Sequence, residues 1–142
     1  MLEQSLARLK KSGYKITSQR KAVLQAFAEC GDFPAATDIL QIVRRTKPDI
    51  SLDTIYRNLT LLVRLGIIHE IYRSSGNVYE LVSTGHHHHL VCTECGCTVC
   101  IDICPMQAAY EEQAAKHGFL LTGHVFEFYG ICAKCREKLG DK

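Results

Sequence analysis

The stretch that decides the fold is residues 51–66, SLDTIYRNLTLLVRLG. Its apolar side chains recur at three- and four-residue spacing, which predicts a helix with one buried face, formed by Leu52, Ile55, Leu59, Leu62 and Val63. Ser51 is a predicted N-cap, and Gly66 stands where a helix is expected to end. The polar residues fall on the opposite face and are predicted to be exposed: Asp53, Thr54, Arg57, Asn58 and Arg64.

Three shorter helical patterns precede this helix, and two β-prone runs follow it. The helices are predicted near residues 2–9, after Thr17 and Ser18, and from Ala35 to a point before Pro48. The β-prone runs, residues 67–72 and 78–82, flank the turn SSGN at residues 74–77. Three helices, a capped amphipathic helix and a hairpin predict a winged helix-turn-helix.

In that arrangement the fourth helix enters the major groove of DNA. Its polar side chains would then meet bases or phosphates, and the candidates are Thr54, Tyr56, Arg57 and Asn58. The alternative interpretation is an ordinary solvated helix face.

Four imidazoles and two thiols are crowded into residues 86–96, HHHHLVCTECG. On a strand, successive side chains point to opposite faces, so His87 and His89 would face one way and His86 and His88 the other. One run could therefore supply ligands to two separate metal sites. A purification tag is the alternative, but this run is internal, four residues long and continues into a Cys-x-x-Cys-Gly sequence.

The cysteine spacing predicts a structural zinc site. Cys92-x-x-Cys95 and the distant Cys132-x-x-Cys135 supply two thiolate pairs, which suit tetrahedral zinc. A second match, Cys97-x-x-Cys100, is an alternative upstream half, although Gly96 favours the first pairing because such turns often need a positive φ. A cytosolic disulfide is a further alternative.

A sensing site needs donors that can release metal and, ideally, donors from both halves of the chain. The candidate donors are His69, Glu80, His87, His89 and Cys100. A second site could form from His86, His88 and His124, with Gln107, Glu111 or Glu112 as a fourth donor.

Composition divides the 142-residue chain into two chemical parts. Residues 1–85 contain 12 Lys and Arg against 8 Asp and Glu, whereas the rest contains 5 against 7. Seven of the eight cysteines and six of the seven histidines lie at or beyond residue 86. This asymmetry suggests DNA binding governed by metal binding. With no signal-peptide pattern and no apolar run of about 20 residues, a cytoplasmic protein is expected.

The rear part is predicted to be a small α/β dimerisation domain. It combines a strand at 99–103, a helix beginning at Pro105 and a long alternating strand at 119–131. Exposed strand edges suit dimer formation, and a dimer suits a palindromic DNA site. The predicted class is α+β, with a winged helix-turn-helix domain at 1–82 and a dimerisation and metal-binding domain at 83–142.

The chain resembles the ferric uptake regulator (Fur) family along nearly its whole length. The resemblance is carried by residues 13–20 (GYKITSQR), 51–59, 86–96, 124–130 (HVFEFYG) and the final Cys132-x-x-Cys135. It implies a homodimeric repressor that binds operator DNA when its regulatory metal is present. It also implies structural zinc on the four cysteines and DNA contacts from Tyr14, Lys15 and Arg20.

Within the family, the chain is most similar to zinc uptake regulators of Gram-positive bacteria. That similarity rests on residues 53–59, 103–106 and 122–124, and on His69 and Cys100 at positions that supply zinc ligands. Phe33 and Cys100 depart from iron and peroxide sensors, which place a histidine and a carboxylate there. Gln107 replaces a glutamate, which weakens the second site. An Fe²⁺- or Mn²⁺-dependent iron or peroxide sensor is the alternative.

An enzyme is the alternative from another class. A zinc hydrolase would need an open coordination position beside a general base, and the sequence contains no HExxH signature. A thiol oxidoreductase would have to use Cys97-x-x-Cys100, and a metal-storage protein would have no use for a winged helix. The sequence therefore favours a regulator.

Overall fold

The computed structural model describes residues 1–82 and 86–140 and divides the chain into two units, Met1–Thr84 and Gly85–Lys142. The predicted domain boundary after residue 82 adjoins residues 83–85, which lie outside the described residues. The assignment of domains to 1–82 and 83–142 therefore stays a prediction. Helices and strands both occur in the chain, which confirms the predicted α+β class.

Four helices and a hairpin form the first unit: α1 (Leu2–Lys11), α2 (Ser18–Cys30), α3 (Ala36–Arg44), α4 (Leu52–Arg64), β1 (Ile68–Ile71) and β2 (Val78–Leu81). Two helices have the predicted side-chain caps, since Thr17 accepts from the Arg20 N–H at 3.2 Å and Ser51 from the Thr54 N–H at 3.1 Å. Gly66 follows α4 with a φ of 63°, where a side chain would be strained. Strands β1 and β2 pair antiparallel.

The apolar faces of these elements meet in one core. Its fully buried side chains come from every helix and from the start of the hairpin, and they include Leu9, Leu24, Ile39, Ile55, Leu62 and Ile68. The core fixes α4 by its apolar face and leaves Arg57 on the exposed face. The first unit therefore presents α4 on a rigid base.

We expect Ile55→Ala to lower the free energy of unfolding by about 2–5 kcal/mol, because it opens a cavity at a side chain that is 0% exposed. Chemical denaturation of the zinc-loaded protein measures the change. Thr60→Ala, on the exposed face of the same helix, is the matched control and should shift the midpoint little. A small effect of Ile55→Ala would contradict the assigned core.

The second unit contains β3 (His88–Cys92), β4 (Thr98–Ile101), α5 (Ala108–Lys116), β5 (Glu127–Gly130) and α6 (Ala133–Leu139). Strand β3 is central, pairing antiparallel with β4 and parallel with β5. Among the described residues, no helix is both long and apolar enough to cross a membrane. The histidine run thus enters the middle of a three-stranded sheet.

Two predicted elements of this unit were wrong in extent. The strand expected over residues 119–131 covers only Glu127–Gly130, because only that part pairs with β3. The helix expected to begin at Pro105 begins at Ala108, with Gln107 as its N-cap. Helix α6, which carries Cys135, was not predicted.

Candidate metal centres and nucleic-acid interface

The four cysteines of the predicted structural site lie together. The sulfur atoms of Cys92, Cys95, Cys132 and Cys135 all lie within 4.8 Å of one another. Cys92 ends β3, Cys95 lies in the turn after it, and Cys132 is the N-cap residue of α6. Gly96 has a φ of 71°, as expected for the turn after Cys95. Strand and helix together place four sulfurs around one point.

Backbone hydrogen bonds prepare this cluster for a cation. The Cys132 N–H donates to the Cys92 sulfur at 3.3 Å and, with the N–H of Cys95, lowers the pKa of Cys92 to about 6. The backbone N–H of Cys135 likewise lowers the pKa of Cys132. Hydrogen bonding to the Cys132 sulfur raises the pKa of Cys135. Four sulfurs with two favoured thiolates fit a tetrahedral zinc ion.

The alternative cysteine pair, Cys97 and Cys100, does not belong to this cluster. Cys97 lies beside it, and hydrogen bonds with the sulfurs of Cys95 and Cys132 raise the pKa of Cys97 to about 12. Cys100 lies on β4 opposite His89. The structure thus separates the two thiols of the second Cys-x-x-Cys.

Three predicted regulatory ligands form a second cluster. Donor atoms of His87, His89 and Cys100 lie within 4.8 Å of one another. His89 and Cys100 are direct partners across β3 and β4, and side chains of such partners share a face of the sheet. His89 is buried. Two nitrogens and one sulfur make a soft donor set, which suits zinc better than Fe²⁺ or Mn²⁺.

Glu127 lies on the face of the sheet that carries His89 and was not predicted as part of any site. It is the β5 partner of His89 in the parallel ladder, so the two side chains share a face. One carboxylate oxygen, Oε1, is buried without a hydrogen-bond partner in the described structure, whereas Oε2 accepts from the Tyr129 hydroxyl. The sequence placed Glu127 on an alternating strand but gave no signal of its partner strand.

The other two histidines of the run join a third cluster. Donor atoms of His86, His88, Cys104 and His124 lie within 4.8 Å of one another. The His86 and His124 Nε2 atoms are 2.7 Å apart, and the Cys104 sulfur is 3.3 Å from each. The prediction had Gln107, Glu111 or Glu112 as the fourth donor. Neither glutamate belongs to the cluster, and Cys104 supplies the fourth donor.

The third cluster contains a buried nitrogen atom, Nε2 of His88, that a bound ligand would satisfy. The His88 side chain is 2% exposed, and its Nε2 has no hydrogen-bond partner among the described residues. Burial and the neighbouring imidazoles His86 and His124 lower the pKa of His88, which favours the neutral form of its ring. A buried neutral nitrogen without a partner is costly, and a metal ion would satisfy it. The donors therefore fit a cation.

The remaining predicted ligands, His69 and Glu80, lie in the first unit. They are direct partners across the hairpin of β1 and β2, so their side chains share a face. Their participation in a metal site stays a prediction. Phe33, which the resemblance sets apart from iron and peroxide sensors, has a φ of 55°, and the centre of its ring lies 5.5 Å from the Arg73 guanidinium.

The four residues of α4 that are predicted to contact DNA differ in their exposure, and the contacts themselves stay a prediction. Tyr56 and Arg57 are exposed, and Thr54 is half-buried beside the cap residue Ser51. Asn58 was predicted to be exposed and is buried at 8%; its amide donates to the Thr54 carbonyl at 2.8 Å. The side chain is therefore bonded within the helix, and the Asn58 amide is not exposed for the predicted contact with DNA.

The motif before α2 supplies a second basic surface. Arg20 donates to the Lys15 carbonyl at 2.6 Å, and its guanidinium lies 5.6 Å from the centre of the Tyr14 ring. Lys15 is exposed. The three residues implied by the resemblance to contact DNA thus form one connected group.

Comparison with known protein families assigns the chain to a class of protein, the metal-dependent transcriptional regulators. Proteins of this class have an N-terminal DNA-binding domain and a C-terminal dimerisation domain. The model of the Ferric uptake regulator family matches residues 11–129, and the chain belongs to this family. Its members regulate transcription and bind DNA as dimers.

The relatives include sensors of different signals. The peroxide-responsive repressor PerR of Staphylococcus epidermidis is 36% identical over 140 residues, covering 96% of this chain and 91% of the relative. The ferric uptake regulator of Helicobacter pylori, solved with three functional metal-binding sites, has a TM-score of 0.70 at 26% identity, covering 95% and 93%. A zinc uptake regulator solved with zinc and DNA has a TM-score of 0.65 at 27% identity, covering 97% and 94%.

Proposed function

We propose that the protein is a zinc-responsive repressor that binds palindromic operator DNA as a homodimer and controls zinc uptake genes. The observation that carries this proposal is the Cys100 sulfur within 4.8 Å of the His87 and His89 donor atoms. Thiolate and imidazole ligands favour zinc, whereas an iron or manganese sensor is better served by carboxylate oxygen. The similarity to a zinc uptake regulator bound to zinc and DNA supports the same assignment.

The four-cysteine cluster is proposed to hold a structural zinc ion. Cys92 and Cys132 offer sulfurs with lowered pKa values, and all four sulfurs surround one point. A closed site of four thiolates has no open coordination position, so it contributes to folding rather than to catalysis or sensing.

The regulatory ion is proposed to bind His87, His89 and Cys100, with His69 or Glu80 as the predicted additional donor. When bound, the metal supplies a cross-link that orders the segments carrying its ligands. Ordering these segments before DNA arrives removes an entropic cost from operator binding. His86, His88, Cys104 and His124 would hold a further ion, so sensing would use both faces of β3.

DNA recognition is proposed to use the exposed face of α4 in the major groove. Thr54, Tyr56 and Arg57 would contact base edges or phosphates there, and Tyr14, Lys15 and Arg20 would contact the flanking backbone. In a dimer the two recognition helices would enter successive major grooves, roughly 34 Å apart. Asn58 is proposed only to support the helix, through its bond to the Thr54 carbonyl.

We expect Arg57→Ala to weaken operator binding about tenfold to a hundredfold for each protomer of the dimer, because each protomer loses one strong base contact. In the free protein the Arg57 Nε pairs with Asp53 at 2.9 Å on the exposed helix surface, so the substitution leaves the core untouched. Fluorescence anisotropy with a labelled operator measures the loss. Arg45→Ala, which removes an exposed arginine paired with Glu29 outside α4, is the control. Loss of bound zinc in Arg57→Ala would indicate a folding role instead.

A peroxide-responsive repressor using Fe²⁺ or Mn²⁺ is the second candidate. It is favoured by the 36% identity to PerR of S. epidermidis. The donor set around His89 argues against it, because Cys100 supplies sulfur on β4 directly opposite that histidine.

The deciding experiment is operator anisotropy in buffers that hold free Zn²⁺, Fe²⁺ or Mn²⁺ at fixed activities. The proposal expects binding to begin with zinc at activities where the other two metals have no effect. Binding that follows Fe²⁺ or Mn²⁺, and that is lost on brief treatment with hydrogen peroxide, would support the peroxide-responsive alternative.

A further inference from the structure

Two arginines from distant parts of the chain converge on the ring of Tyr14. The guanidinium of Arg20, near the start of α2, lies 5.6 Å from the ring centre, and that of Arg64, at the end of α4, lies 5.9 Å from it. Arg64 also donates to the Tyr14 hydroxyl at 2.5 Å. Tyr14 itself is half-buried and packs against the core of the first unit. The ring therefore supports both guanidinium groups.

The two positive charges lack a neutralising partner. Arg45 pairs with Glu29 and Arg57 with Asp53, whereas no carboxylate among the described residues lies within ion-pair distance of Arg20 or Arg64. Arg20 donates instead to the backbone carbonyl of Lys15, so the backbone of a third cationic residue, which is exposed, lies beside Arg20. Converging cations held on a rigid support are favourable for an anion.

The position of Arg64 on α4 indicates which anion this is. Arg64 follows Arg57 by seven residues, two turns along the same exposed face, or about 10.5 Å along the axis. If Arg57 reaches the floor of the major groove, a side chain on the same face two turns away reaches the groove edge, where the phosphates lie.

We propose that Tyr14, Arg20 and Arg64 form a phosphodiester-binding clamp that grips the DNA backbone beside the groove read by α4. Arg20 and Arg64 contact phosphate oxygens, and Tyr14, besides its own predicted contact with the backbone, positions both guanidiniums. The clamp rests on the proposed DNA-binding function and adds Arg64, which the sequence-based prediction of DNA contacts did not include. It contributes affinity and salt dependence without sequence discrimination.

The test measures the zinc-loaded protein against operator and scrambled duplexes between 50 and 200 mM salt, a range in which phosphate contacts dominate the salt response. Arg64→Ala should weaken binding roughly threefold to tenfold on both duplexes. It should also lower the slope of log K against log salt by about 0.9 per protomer. Arg45→Ala, an exposed arginine that is ion-paired, should leave the slope unchanged.

A double-mutant cycle separates positioning from mere stabilisation. Tyr14→Phe keeps the ring but removes the hydroxyl that accepts from Arg64, so it should reproduce part of the Arg64→Ala loss. In the Tyr14→Phe background, Arg64→Ala should then cost less than it does alone. If both single variants keep the wild-type affinity and slope and lower only the thermal midpoint, the cluster is a structural contact and the clamp is wrong.

The scrambled duplex keeps this test apart from the proposed zinc response. Binding to it depends on phosphate contacts and not on the operator sequence. A wild-type protein indifferent to zinc would contradict the proposed function. An unchanged slope for Arg64→Ala on scrambled DNA would overturn the clamp whichever metal activates the protein.

Discussion

Cys95→Ser is expected to remove one zinc ion per chain and to unfold the second unit while the first unit stays folded. The reason lies in the distribution of buried side chains. Among the described residues of the second unit, the buried side chains are His88, His89, Val91 and Cys92, and neither α5 nor α6 buries any residue. This unit lacks an apolar core of its own. Structural zinc contributes about 10–16 kcal/mol in small zinc-dependent folds, which is enough to replace one.

Two controls accompany this variant. Cys30→Ser changes a half-buried thiol in the first unit, and Cys97→Ser changes the thiol beside the cluster. Each control variant should retain one more tightly bound zinc ion per chain than Cys95→Ser retains. Zinc is counted with a colorimetric chelator after unfolding, and limited proteolysis with mass spectrometry shows which unit is cleaved. A Cys95→Ser protein with full zinc content and a protease-resistant second unit would contradict the structural site.

Cys100→Ser is expected to lower the operator affinity by about a hundredfold or more at fixed free zinc, and so to abolish zinc-activated binding. The structural zinc should be retained. Serine replaces a thiolate with a hydroxyl, which is a poor zinc ligand at neutral pH, beside His87 and His89. His89→Ala should give the same result, because it removes the donor directly opposite Cys100. Anisotropy against free zinc measures the response, and metal analysis confirms that the four-cysteine site remains loaded.

Cys104→Ser is the matched control for Cys100→Ser, since it removes a thiol from the third cluster and leaves the second intact. It should shift the zinc activity needed for half-maximal binding by less than Cys100→Ser does. If Cys104→Ser abolished the response and Cys100→Ser did not, the principal sensing site would be the one with His86, His88 and His124. A normal response in both variants would refute the regulatory assignment.

The sequence predicted those features that depend on residues close together in the chain, such as helix faces, helix caps and the alternation of side chains along a strand. The buried face of α4, its Ser51 cap and its end at Gly66 follow from helical spacing and from cap chemistry, and all three agree with the structure. The alternate facing of His87 with His89 and of His86 with His88 follows from the two-residue period of a strand. The structure places the members of each pair in one cluster.

Other features depend on contacts that no local pattern contains. Asn58 is polar, yet its bond to the Thr54 carbonyl allows it to be buried on a helix surface. The strand predicted from residue 119 is cut to Glu127–Gly130 because a strand extends only as far as its partner does. Cys104 contacts His86 and His124, which are 18 and 20 residues away from it in the sequence. The sequence does show a further cysteine shortly after Cys100, but its spacing does not indicate which histidines it contacts.

The central strand β3 links the second and third clusters through its alternation. Along residues 86–89, successive imidazoles belong alternately to the third and the second cluster. The donors of both clusters therefore depend on the same register of the strand. Inserting or deleting one residue between His89 and Cys92, whose sulfur anchors the end of β3 in the four-cysteine cluster, would turn all four histidines to the opposite faces and exchange the donors of both clusters at once. In evolutionary terms, this segment can vary by substitution, one ligand at a time, but its length is fixed by the geometry of the sheet.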